Sequence, residues 1–465
     1  MLLPQYPESL TFLRAIAVSK STKTSFRFNA KKELILIVPF HVMRLLERIR
    51  ARFDVEQVVQ TLSAKNHEIK RLRPARHATH KNAQRFWDRI IAEGNMRQGD
   101  QAEILDDLTA ASIETYGSNI ENMIGTVKVP VGLIGPLRVN GMNANGDFLV
   151  PLATTEAALV ASYGRGADVT ASAGGIAAAL LYDGVLRTPA FRFKSMAETG
   201  VFIDWVVQHA DEIRQIAETT TRFGKLISLE PTMDNDICFL LCRYKTGDAS
   251  GQNMVTIATS AICKFIEDQC PIKPVNWYVE GNYSGDKKAS ALGVITGRGA
   301  KVSASVTIPA AIVERKLNCT VKQMLDYGRI ANLGSLLSGQ MGSQAHYANA
   351  LAALFIATGQ DAACVAESAV GFTRMEDHDG DLFVSVTLPN LLVGTVGGGT
   401  GLPSQAAGLR IMGLHGAGKR EALAEVAAAL CLCGEISIVA AMASGDFASA
   451  HQRYARQRTP SIAPV

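Results

Sequence analysis

The sequence has no segment with the texture of a secretory leader and no early apolar run long enough to span a bilayer. Its longest such run, Leu34 to Phe40, is interrupted by Pro39 and falls far short of the ~20 apolar residues that a spanning helix needs. No transmembrane anchor is expected on this reading. Charge of one sign is also scarce, since 465 residues carry a formal net charge of only +4. That excludes the basic footprint of a nucleic-acid-binding protein and leaves room for a polyphosphate ligand at local basic sites. The eight cysteines include no CxxC pair, and Cys431 and Cys433 have no second ligand pair near them. Neither a metal site nor a disulfide framework is expected, and the cysteines read as buried thiols of a reducing compartment, the cytoplasm. Internal repeats and low-complexity linkers are absent as well.

What is present is ordinary for a chain with a sizeable core: 47% hydrophobic and 19% charged residues. The length allows about two to four domains. Residues 1–110 are the most polar and read as an N-terminal helical region, with helical spacing of apolar residues over Val55–Leu62 and Asn82–Ile91. His41 to Phe53 reads as a core-facing helix with a basic outer face. Pro130 to Pro136 is punctuated by glycine and proline and reads as a loop, and Phe148 to Pro151 as a strand. Thr154 or Thr155 is the natural N-cap of an Ala-rich helix through Tyr163, with Glu156 in its first turn.

The texture changes at residue 189. Strands are expected at Ala190–Phe193, Lys225–Leu229 and Asp236–Tyr244, with helices at Met196–Ala217 and Asn253–Glu267. That order suits a ferredoxin-like unit over 189–278, inserted between 111–188 and 279–465. In the last third, His346–Thr358 and Ala422–Ala443 read as long buried helices, and Phe383–Val386 and Leu391–Val396 as strands. The fold class is α+β: a helical N-terminal region, a large mixed central domain and an inserted ferredoxin-like cofactor-binding domain.

Five segments set polar groups in apolar or glycine-rich surroundings: Thr154-Thr-Glu156, Asp248 to Asn253, Gly281 to Lys288, Gly359-Gln-Asp361, and His451 after the last helix. Each alone has a structural reading. Glu156 can serve the helix dipole, Asp361 can cap the turn that follows, and Asp286-Lys287-Lys288 can be an exposed turn. Together, and with Glu121 to Pro136, Pro151 to Glu156, Gly394 to Thr400 and Leu432 to Glu435, their order resembles the 3-hydroxy-3-methylglutaryl-CoA reductase family over residues 100 to 455.

The resemblance implies two successive hydride transfers from NADPH to an acyl-CoA thioester, giving mevalonate and CoA. It implies Lys287 as the cation at the developing oxyanion, Glu156 as proton donor, Asp361 as the group holding them in register, and His451 as the acid that protonates the thiolate. Two carboxylates beside one lysine would titrate together, with one protonated near neutral pH. Arg187, Asp286, Lys288, His346 and Asn349 match the substrate pocket. Thr221 and Arg222 match the grip on a 2′-phosphate. Asp248, Gly251, Gln252, Asn253, Gln360, Gly397 and Gly398 match the rest of the cofactor site, although Ser250 and Gln252 replace the usual methionines. The motif is no G-x-G-x-x-G, so no Rossmann fold is implied. Ser162 and Arg165 match the CoA site, near which Gly164 and Asp168 depart from the pattern. Arg329 stands close to where the family has a lysine. Glu280 replaces a small hydroxyl residue beside the substrate loop, which keeps a different acyl-CoA open; an inactive CoA-binding paralogue is the other alternative. The resemblance further implies a homodimer or homotetramer with active sites between subunits, and a closing segment like that of the flapless, NADPH-using class.

Overall fold

The computed structural model describes residues 40–52, 54–65, 72–94, 96–97 and 99–447. The chain divides into one unit up to Arg73 and a second from Pro74. In the first, helices run over Phe40–Arg52 and Val55–Leu62. The first of these was expected to face a core. Instead Phe40 is 73% exposed and Leu45 56%, because the described part of that unit supplies no second layer for its apolar stripe to bury against.

The second unit opens with the His80–Ala92 helix, capped by Thr79, whose side chain accepts from the Asn82 amide. Its Ala83 and Trp87 pack with Leu105, Ile113 and Met123 into a small separate core, and the Trp87 indole donates to the Ile124 carbonyl at 2.8 Å.

The sheet is built from β1 (Val131–Gly141), β2 (Asn145–Ala153), β3 (Ile176–Arg187), β4 (Ala190–Arg192), β5 (Lys225–Asp234), β6 (Ile237–Lys245), β7 (Asn276–Tyr278), β8 (Gly299–Ile308), β9 (Phe372–His378) and β10 (Asp381–Leu391). Along its main path the order is β7-β4-β6-β3-β8-β10-β9, with β1 pairing β2 and β3, and β5 pairing β6. The strand β3 joins two parts. Its early residues pair with β8 and, in parallel, with β1, while Val185 to Arg187 pair with Tyr244 to Cys242 of β6. Arg187, its last residue, therefore stands at the junction.

Three expectations need correction. Pro130 to Pro136 is not simply a loop, since β1 runs through it and pairs with β2, slipping register between Ile134 and Leu137 where Pro136 can donate no ladder hydrogen bond. The Met196–Ala217 helix is two helices, Met196–Gln208 and Ala210–Thr219. His209 breaks it: its ring stacks on Trp205 at 4.3 Å and its Nδ1 meets the Trp205 carbonyl. Leu391–Val396 is strand only at its first residue. The Gly394 amide donates to the Gln360 side chain and the Thr395 amide to the Asp248 carbonyl, so no ladder continues.

The Arg420–Ser444 helix forms the centre of the large core. By length and composition it is the one described helix apolar enough to cross a membrane, and most of that apolar stretch is buried inside the fold. All eight cysteines are free and buried. This helix packs closely on the Leu159–Ser172 helix through glycines. A Cβ added at Gly166 would overlap the Cys433 carbonyl, and one at Gly434 would overlap the Tyr163 ring. Gly164, in the same helix as Gly166, has nothing nearer than Ile134 Cγ2 at 3.9 Å. Gly166→Ala should destabilise by about 1–3 kcal/mol, because backbone cannot yield as a flexible side chain does. Gly164→Ala should be neutral or gain up to about 1 kcal/mol of helix propensity. Urea unfolding of both variants checks this, and equal effects would rule out the close helix contact.

Candidate active site

The loop after β7 carries the densest chemistry. Gly285 and Lys287 both have positive φ, 72° and 57°, and for lysine that left-handed backbone is costly. It persists because its neighbour is pinned. Asp286 Oδ2 accepts from Arg187 at 3.1 Å and Oδ1 from Arg298 at 2.8 Å. Arg298 is 1% exposed and pairs through its other terminal nitrogen with Glu367, also 1% exposed, at 2.8 Å. Gln252 Oε1 accepts from both arginines, at 3.1 and 3.0 Å. Burial pushes the Glu367 carboxyl up, against the pull of Arg298. Arg298 and Glu367 were not singled out from sequence. The available signal was an arginine between two glycines, Gly297 and Gly299, at the head of a strand.

Pinning Asp286 sends Lys287 the other way. Its ammonium meets Asp361 Oδ2 at 2.9 Å. Asp361 Oδ1 accepts from the Ala363 amide at 3.0 Å and so caps the short turn Ala362–Cys364. The capping and chemical readings of Asp361 thus coexist, one oxygen for each. The hydrogen bond from Asp361 raises the Lys287 ammonium above the usual lysine range. Burial pushes the Asp361 carboxyl up, but Lys287 and the Ala363 amide outweigh it and hold the carboxyl below its usual value.

Glu156 is not in a first helical turn. Thr154 Oγ accepts from the Glu156 amide at 3.0 Å, a local turn that uses the hydroxyl, and the helix begins only at Leu159. The carboxylate of Glu156 accepts from Asn349 at 3.3 Å, while the ion pair of Lys287 is with Asp361. Asn349 lies one turn beyond His346, which stacks on Tyr163 at 5.1 Å. The backbone amides of Ala345 and His346 are held by the buried Glu435 carboxylate. Lys288 donates to the Asp286 carbonyl at 2.8 Å. His451 lies outside the described residues.

A cleft of about 590 Å³ joins Gly251, Gln252 and Asn253 to Gln360, Asp361, Gly397 and Gly398. Three segments far apart in sequence thus share one cavity. Gly251, at φ 79°, ends the loop before the Gln252–Gln269 helix, whose N-terminus borders the cleft. Backbone amides there, beside glycines carrying no side chain, suit a pyrophosphate. The Thr221–Gly224 turn lies against this helix, since a Cβ on Gly224 would come within 2.8 Å of Met254 Sδ. Thr221 Oγ accepts from the Phe223 and Gly224 amides, and Arg222 is exposed on that turn.

Other expected site residues sit elsewhere. The Asp248 carboxylate accepts from the Lys419 and Arg420 amides at the start of the long core helix, where it satisfies otherwise orphan donors. Ser162 and Arg165 bond to Ser437 rather than lining the cleft, and Asp168 pairs with Lys316 at 2.6 Å. Arg329 pairs with Asp326 on a different cleft of about 750 Å³.

Comparison with known proteins agrees with this picture. The profile of the hydroxymethylglutaryl-coenzyme A reductase family matches residues 87–456. The 3-hydroxy-3-methylglutaryl-coenzyme A reductase of Haloferax volcanii is 42% identical over 349 residues, 74% of this chain and 86% of that protein. That of Methanocaldococcus jannaschii is 41% identical over 345 residues, 73% and 85% of the respective chains. Among solved structures, a class II reductase from Streptococcus pneumoniae bound to NADPH superposes with a TM-score of 0.56 at 18% identity, covering 77% of this chain and 96% of that one. At that identity the likeness concerns the fold.

The Lys287–Asp361 pair has a direct test. With its methylenes isotopically labelled, Lys287 should titrate above the other lysines by NMR. In Asp361→Asn its titration should move to lower pH, because the partner favouring the ammonium has lost its charge. An unchanged titration would dissolve the pair.

Proposed function

The chain belongs to the hydroxymethylglutaryl-coenzyme A reductase family, and from that premise we propose that it reduces 3-hydroxy-3-methylglutaryl-CoA to mevalonate and CoA with NADPH. The observation that carries the reading is the pairing of Lys287 with Asp361 at the edge of a glycine-lined cleft. NADPH supplies the hydride when bound, and Gly251, Gln252, Asn253, Gln360, Gly397 and Gly398 would hold it. Arg222 would take the 2′-phosphate, with Thr221 shaping its turn. Asp248 would contribute indirectly, by fastening the motif loop to the Arg420–Ser444 helix.

In the first reduction the thioester carbonyl carbon gains a hydride and its oxygen becomes anionic. Lys287 is the cation for that oxygen, worth most where water is excluded. Glu156, oriented by Asn349, donates the proton. The carbon–sulfur bond then breaks, leaving an aldehyde and a thiolate, which His451 protonates. A second hydride and proton give the alcohol. Arg187, Asp286, Lys288 and His346 shape the end of the pocket that takes the acyl carboxylate. Ser162 and Arg165 are assigned to the CoA side. The insertion over 189–278 serves the cofactor, and 111–188 with 279–465 the substrate.

The enzyme works as a homodimer or homotetramer in the cytoplasm. Supporting the first, Leu336 and Leu337 on the Val321–Ser338 helix are each 79% exposed, the kind of apolar surface that subunit contacts cover. Supporting the second, all eight cysteines are free.

Two measurements test the reading. NADPH oxidation and CoA release, followed together, should give two cofactors per CoA. A ratio of one with aldehyde accumulating would leave only half of the reaction. Arg222→Ala should weaken NADPH by about tenfold or more, the scale of a charge-assisted hydrogen bond, with NADH little changed. Equal losses with both would remove Arg222 from the phosphate site.

A further inference from the structure

The guanidinium of Arg187 is 7% exposed and already engaged by the protein's own carboxylates. Its NH1 donates to Glu280 Oε2 and to Asp286 Oδ2, each at 3.1 Å, and its NH2 to Gln252. Glu280 is held in place from its own loop: Ser284 Oγ donates to the same oxygen at 2.9 Å. The other oxygen, Oε1, is buried without a partner, as is Arg187 Nε beside it in the same network. Within the network Arg187 and Arg298 face Glu280, Asp286 and Glu367. Anions therefore outnumber cations before any ligand arrives. Glu280 differs from Asp286 in what it holds. Asp286 bridges two arginines and fixes the backbone of Lys287, whereas Glu280 touches Arg187 alone among the cations.

We propose that Glu280 is a specificity-determining residue: it occupies Arg187 in the manner of a ligand carboxylate, and so penalises acyl groups ending in a carboxylate relative to those ending in a neutral group. The inference rests on Arg187 and Lys288 serving the acyl end of the substrate, as proposed above. An incoming carboxylate finds Lys288 available but must enter beside Glu280, or displace it from Arg187. Two carboxylates a few ångströms apart repel, and partial burial keeps water from screening them fully. An acyl chain ending in a methyl group meets no such cost.

The test compares binding of 3-hydroxy-3-methylglutaryl-CoA with that of butyryl-CoA, which keeps the thioester and CoA but has no terminal carboxylate. Dissociation constants are measured by calorimetry on the full chain, without NADPH. Glu280→Gln, which keeps the shape and an acceptor for Ser284, should tighten the carboxylate-bearing ligand by about tenfold, the scale of one like charge removed from a partly screened site. Butyryl-CoA should change by less than about twofold on the same grounds. Glu280→Ser should shift the ratio in the same direction, and it serves if the amide variant does not fold. Glu280→Asp, which retains the charge, should give much less gain. Equal changes for both ligands, or weaker binding of the carboxylate-bearing one in both neutral variants, would overturn the proposal. Because binding is read without turnover, the result is independent of whether wild-type protein oxidises NADPH with the methylglutaryl thioester, which tests the underlying activity.

Discussion

The carboxylate of Asp286 accepts from Arg187 on one oxygen and from Arg298 on the other, and this shared anion determines where the rest of the site can stand. Arg187 ends β3 at the junction of the sheet, Arg298 immediately precedes β8, and Gln252, bonded to both, begins the helix bordering the cleft. Four pieces of chain are thereby fixed to one another. Such a network is poor evidence of stability, because desolvating charged groups costs about as much as their attraction returns. Removing one member is another matter, since it strands a buried charge. The arrangement is better understood as a positioning device. It holds Lys287 at a φ that lysine avoids, and from there the ammonium reaches Asp361.

The long Arg420–Ser444 helix plays the complementary part. Its acidic residues are buried and each is matched to backbone amides. Glu425 accepts from the Asn143 and Ala144 amides, and Glu435 from those of Ala345 and His346. Its arginine, Arg420, forms a two-nitrogen pair with Asp183 of β3. A helix that reads as apolar by composition therefore carries the polar attachments that fix three surrounding loops. One of them sets His346 and, a turn later, Asn349 against Glu156. A chain of structural contacts thus runs from the core helix to a candidate proton donor.

Much of this was legible in sequence, for identifiable reasons. The elements with strong periodicity or terminal punctuation, such as Val55–Leu62, Tyr347–Thr358 and the final core helix, stand within a residue or two of where their patterns end. The glycine-rich motifs converge on one cleft because glycine marks backbone that must approach something closely. What was not legible depends on partners distant in sequence. Nothing around Thr154 shows that its hydroxyl will close a turn with Glu156 rather than cap a helix. Nothing around Asp248 shows that its carboxylate will meet the amides of Lys419 and Arg420. Arg298 and Glu367 escaped notice because a lone charge in an apolar stretch has no local signature; only the fold brings them together.

The same distinction separates the two carboxylates of the candidate centre. Asp361 is committed twice, with one oxygen on the Ala363 amide and the other on Lys287, and both contacts favour its ionised form. A carboxylate so held is suited to keep the lysine charged and aimed, and poorly suited to give up a proton, since it carries none near neutral pH. Glu156 has only Asn349 and its own backbone turn. Its carboxyl can therefore pick up and release a proton without breaking an ion pair. The division of labour in the proposed mechanism, with Asp361 fixed and Glu156 cycling, follows from that difference in commitment rather than from any difference in chemical type.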